Sequence, residues 1–87
     1  MAEKKIVLSI GGVDYVFQVT SENFNRYINE IKPDDKVLPA KRFLRRALTD
    51  GEQRDALDEL CDRGLALNIA GEVIQEFQGE VEIEVKK

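Results

Sequence analysis

The feature that most narrows what this chain can become is a pair of adjacent glycines, Gly11-Gly12, set between two alternating runs. Upstream, Ile6, Leu8 and Ile10 share one face of a stretch rich in β-branched residues. Downstream, Val13, Tyr15, Phe17 and Val19 share one face of the next. A two-residue hairpin turn that matches strand twist needs positive φ at both central positions, which glycine adopts without steric penalty. That turn sets Ile10 opposite Val13, Leu8 opposite Tyr15 and Ile6 opposite Phe17, with all six side chains on one side. Moving the turn to Gly12-Val13 preserves the same facing. The glycines do not read as a phosphate loop: no Gly-Lys-Ser/Thr follows, and they lead into a strand rather than a helix N-terminus. A lone hairpin is marginal in water, so the rest of the chain must cover its apolar face.

Four helical stripes are available to do so. Thr20-Ser21 offers an N-cap with Glu22 in the first turn, and Phe24, Tyr27, Ile28 and Ile31 recur at i, i+3, i+4, i+7. Pro33 ends that pattern. Val37-Leu38 reads as a short aliphatic stretch in a loop, and Pro39 suits the first position of the next helix. There Ala40, Phe43, Leu44, Ala47 and Leu48 form an unbroken apolar face, with Lys41, Arg42, Arg45 and Arg46 opposite. A third stripe holds Ala56, Leu57, Leu60 and Cys61 and stops at Gly64, a natural C′ residue. A fourth holds Leu65, Ile69, Ala70, Val73, Ile74 and Phe77, with Gly71 inside it and Gly79 ending it. The two glycines Gly64 and Gly71 leave open whether the third and fourth stripes are one broken element. The tail Glu80–Lys87 alternates strictly, Val81, Ile83 and Val85 on one face, and reads as a strand that adds to the hairpin or pairs with another chain. The expectation is one α+β domain over residues 1–87: an N-terminal β-hairpin, three to four helices, and a C-terminal strand completing a small antiparallel sheet.

Composition narrows function chiefly by what is missing. The 87 residues contain no histidine, which removes the commonest general base and most zinc sites. One cysteine allows no internal disulfide and fits a reducing compartment. No apolar run reaches the ~18 residues of a membrane span, and Met1–Lys5 passes straight into the first strand without a signal-peptide block. The sequence thus points to a cytoplasmic protein with no catalytic residues, no metal site, no cofactor and no membrane partner.

Three charged or reactive features each have an ordinary structural role as well as a functional one. The basic run Lys41, Arg42, Arg45, Arg46 could hold nucleic-acid phosphates, and a small nucleic-acid-binding or regulatory protein using that face is the alternative reading. The net charge of −4 and the lack of interleaved aromatics argue against it, and docking to an acidic protein surface fits better. Asp55, Asp58, Glu59 and Asp62 lie three or four apart, as the polar face of a helix would, with Arg54 and Asp58 at ion-pair spacing. Cys61 sits on an apolar stripe and has no base to activate it. The segment Lys36-Val37-Leu38 is less ordinary, because it offers two aliphatic residues just before a basic helix.

At that segment the chain resembles a family of small phage tail assembly chaperones of tailed phages and prophages of Gram-negative bacteria. The likeness runs over nearly the whole chain: Tyr15–Thr20, Asn23–Ile31, then Lys36-Val37-Leu38-Pro39-Ala40 with Phe43-Leu44, and the end with Val81, Ile83, Val85 and Lys86. Arg42 stands where the family pattern has Asn, and Leu38 where it has a smaller residue. The resemblance implies a non-enzymatic companion of the tape measure protein that helps recruit tail tube subunits, works in the host cytoplasm and is absent from the mature virion. On this reading Lys36, Val37, Leu38, Phe43 and Leu44 lie at or beside a partner surface, Lys41, Arg42, Arg45 and Arg46 steer the encounter, and homo-oligomers are an open option.

Overall fold

In a computed structural model, which describes residues 3–79 and 83–86, the chain is an α+β domain with an N-terminal antiparallel hairpin. Strand β1 (Glu3–Ile10) pairs with β2 (Val13–Thr20) in the register the glycine pair dictates: Ile10 opposite Val13, Leu8 opposite Tyr15, Ile6 opposite Phe17. Gly11 and Gly12 carry φ of 60° and 82°, the two positive values that a tight primed turn requires. Ile6, Tyr15, Phe17 and Val19 are buried, whereas Val13 at the turn stays exposed.

Helix α1 (Ser21–Glu30) starts at a working cap, with the Thr20 hydroxyl accepting from the Asn23 amide at 3.1 Å. Helix α2 (Val37–Ala47) starts two residues earlier than the proline suggested, so Val37 and Leu38 lie in its first turn rather than in a loop. Pro39 is still accommodated, because amides of the first turn have no partner within the helix. A single 3-10 turn (Gly51–Gln53), capped by Asp50, leads into α3 (Arg54–Leu60). Through Cys61–Leu65 the chain bends at Gly64, with φ 93° and ψ 12°, and continues as α4 (Ala66–Gln78). The third and fourth stripes are therefore two arms of one broken helical element. Gly71 is tolerated within α4, and its missing side chain faces open space.

Tyr27 stacks on Phe43, with ring centroids 4.9 Å apart and planes 14° apart, and this pair ties α1 to α2. Around them Phe17, Val19, Leu44, Leu57 and Val73 complete the core at the meeting of hairpin and helices. Phe24 meets Phe77 at 5.6 Å, joining α1 to the end of α4. Two stripe positions differ from the sequence expectation: Ile28 and Ala56 are exposed, each at the margin of its helix's apolar arc.

The expected C-terminal strand is not shown. Among the described residues the sheet has two strands, and residues 83–86 carry no regular structure. Residues 80–82 and 87 lie outside the described part. The alternation of Ile83 and Val85 defines a face, but no sheet edge in the described fold receives it; both side chains are over four-fifths exposed.

Candidate functional site

The candidate surface is built on α2, whose 11 residues divide into two faces. The inward face packs Ala40, Phe43, Leu44 and Ala47 without solvent contact of consequence. Phe43 and Leu44, expected at or beside a partner surface, are thus wholly internal. The hairpin and α1 supply the apolar partners that the sequence left unspecified, and Phe43 is spent on Tyr27.

The outward face holds the other candidates. Lys36 is exposed at the helix start, and Val37 and Leu38 are 52% and 45% exposed. They form an aliphatic step at the N-terminal end of α2. One turn on, the basic residues do more than hydrate. Arg46 and Arg42 reach the Glu30 carboxylate of α1 at 3.1 and 3.6 Å, and Arg26 approaches the same group at 3.8 Å. On the other flank Lys41 bonds Asp62 at 3.2 Å, and Arg45 lies 3.5 Å from Asp58. The basic face is therefore a lattice linking α2 to α1 and to the α3–α4 element.

That use of Asp58 corrects one local expectation. Arg54, four residues before it, makes no ion pair among those of the described residues, because Arg45 of α2 occupies the carboxylate instead. Arg54 joins Arg42, Arg45 and Arg46 in lining an open cleft of about 380 Å³. Within the lattice the Arg46 Nε and the Asp58 Oδ1 are buried without a hydrogen bond. Four guanidiniums facing one cleft, balanced nearby by Glu30 and Asp58, leave it electropositive, which suits an anionic side chain on a partner.

The reactive candidates are quiet. Cys61 is buried, and burial pushes its thiol above the usual value of 9.0; Lys41 pulls it down, while Asp58 and Asp62 push it up. Burial likewise raises the Tyr27 hydroxyl above 10.0. A protonated, enclosed thiol is a poor nucleophile. Among the described residues no group of three or more acidic or cysteine side chains is placed to share a metal ion, and no helix is long and apolar enough to cross a membrane.

Fold and surface together define a small α+β domain whose distinctive exterior is an aliphatic step beside a cationic cleft. Its sequence matches the phage tail assembly chaperone family over residues 6–87. It is also 33% identical, over 82 residues, to an uncharacterized 11.3 kDa protein in the lys 3′ region of Haemophilus phage HP1 (strain HP1c1); the match covers 93% of this chain and 79% of that protein. No solved structure matches the chain. The chain belongs to the phage tail assembly chaperone family.

Proposed function

We propose that the protein is a non-enzymatic phage tail assembly chaperone that transiently binds the tape measure protein and helps recruit tail tube subunits. The observation that carries this reading is the family match across residues 6–87. The surface chemistry is consistent with it. A partner that presents apolar stripes before the tube encloses it would find an aliphatic contact at Val37 and Leu38. Acidic residues flanking such a stripe would be held by Arg42, Arg45, Arg46 and Arg54. The work is done in the host cytoplasm, and the protein leaves before the virion is complete. In the same reading the alternating tail completes a sheet by pairing at an edge, as its sequence pattern suggests.

The test is co-expression of the tape measure protein with and without this chain, scoring how much tape measure stays soluble. The wild type should raise the soluble fraction, and Val37→Asp with Leu38→Asp should lose that effect while keeping wild-type helicity. Equal tape measure solubility with and without the chain would refute the proposal. The nucleic-acid alternative is checked by gel shift at low salt, where phosphate contacts are strongest. The net charge of −4 weighs against it, as does the pairing of all five arginines and lysines in the lattice of α1 and α2 with Glu30, Asp58 or Asp62.

A further inference from the structure

The two edges of the hairpin are treated differently. With Ile10 opposite Val13 across a two-residue turn, the backbone groups of Asp14, Val16 and Gln18 face away from β1, and those of Lys5, Val7 and Ser9 face away from β2. The β2 edge is covered at Asp14 and Val16. The Val16 carbonyl accepts from the Thr49 amide at 3.0 Å and from the Thr49 hydroxyl at 3.1 Å. The Asp14 carbonyl accepts from the Gln53 side chain at 2.9 Å, and Leu48 bridges to Phe17. Outward backbone groups of Lys5, Val7 and Ser9 meet no partner among the described residues. An open edge of this kind is a template for another strand, and folded proteins usually cover or charge it.

Beside that edge lies an apolar groove of about 350 Å³ between β1 and α4, walled by Leu8, Ile10, Leu65 and Ile69. The same chain carries an unpaired segment of matching pattern. Ile83 and Val85 alternate with Glu84 and Lys86, and are 89% and 85% exposed. Four extended residues span about 13 Å, close to the length of Val7–Ile10. Laid along β1, they would turn Ile83 and Val85 towards the groove and Glu84 towards the face that bears the exposed Lys5.

We propose that the Ile83–Lys86 segment of one copy adds as a strand to the open β1 edge of a second copy, seating Ile83 and Val85 in the groove between β1 and α4. Within a single chain Ile83 and Val85 are exposed and do not line the groove, and the occupant we assign is the other copy's segment. Each copy has one open β1 edge and one such segment, so reciprocal exchange fills both β1 edges and closes a two-fold dimer. The contact is small, and the dimer is weak, with a dissociation constant on the order of micromolar. The inference does not depend on the tail-assembly reading, which is scored by tape measure solubility.

Sedimentation equilibrium across a wide concentration range is the test. The wild type should associate reversibly to a dimer. Ile83→Asp with Val85→Asp should weaken association about tenfold or more by removing apolar burial, with no effect on folding because both side chains are exposed. Val7→Pro should do the same from the other side, since it removes an outward donor and leaves the inner ladder intact. If Val7→Pro unfolds the chain, the tail variant alone decides. In a Cys61→Ser background, chains bearing Ser9→Cys and chains bearing Glu84→Cys, whose side chains would share the face that bears Lys5, should form a disulfide between copies when mixed. A monomeric wild type at all concentrations would overturn the proposal, as would a dimer indifferent to the tail variant, or a Ser9→Cys, Glu84→Cys chain that closes only on itself.

Discussion

Replacing Phe43 by alanine separates the two readings of α2, as core element or as partner surface. The Phe43 ring has no exposure and stacks on Tyr27 at 4.9 Å. Deleting a buried phenylalanine costs about 3–5 kcal/mol in transfer and cavity terms. An 87-residue domain has roughly 4–13 kcal/mol of stability to lose, at 0.05–0.15 kcal/mol per residue. Phe43→Ala should therefore unfold most of the population or lower the urea midpoint severely, followed by far-UV circular dichroism. Leu38→Ala, one and a half turns away and 45% exposed, should stay within about 1 kcal/mol of wild type. A cycle pairing Phe43→Leu with Tyr27→Leu should show a coupling of about 0.5–1.5 kcal/mol from the stacked rings. Wild-type stability in Phe43→Ala would mean that the residue is not internal, and the division of α2 into a buried and a presented face would fall.

Four further outcomes rest on the same packing. Gly64→Ala should destabilise by about 1–2 kcal/mol, because φ of 93° is strained for a residue with a Cβ, whereas Gly71→Ala in exposed mid-helix should stabilise by about 0.5–1 kcal/mol; urea midpoints moving in the same direction would refute the contrast. Glu30→Gln removes the carboxylate that Arg26, Arg42 and Arg46 share, but the pairs are partly solvated, so a loss of about 1 kcal/mol at low ionic strength should shrink in high salt; an effect independent of salt would show that the carboxylate acts otherwise. Burial raises the Cys61 thiol above 9.0, so the folded state holds that proton more tightly: the associated stability is present below pH 9, is lost as pH climbs through the raised value, and should leave a flatter alkaline limb in Cys61→Ala, with Tyr27 supplying the remaining slope. Native-state alkylation of Cys61 at pH 8 should be slow until urea opens the core, and fast labelling of the folded chain would count against burial.

The hairpin was legible because its instructions are local. Two glycines with positive φ and two period-two runs leave one facing, and the structure shows the matching register. The Thr20 cap and the break at Gly64 were legible for the same reason, since each depends on a few neighbouring residues. The candidate surface was only half legible. Periodicity separates an apolar from a polar face of α2, but it cannot say whether the apolar face meets the chain's own hairpin or another protein. Phe43 and Leu44 went inward because β2 and α1 were there to receive them. Arg54 was missed as a member of the cationic cleft because its sequence neighbour Asp58 offered a pairing that Arg45 took from another helix.

By itself, then, the sequence determined the local geometry: the turn, the register, the caps, the helical stripes and the lack of histidine chemistry. Each of these is set by φ preferences and side-chain spacing within a few residues. Tertiary structure alone decided which apolar residues are spent on the core, which carboxylate each arginine reaches, and which hairpin edge is met by Thr49 and Gln53 while the other meets no partner among the described residues. Those outcomes depend on groups tens of residues apart being brought within a few ångströms, a distance that no short-range pattern encodes.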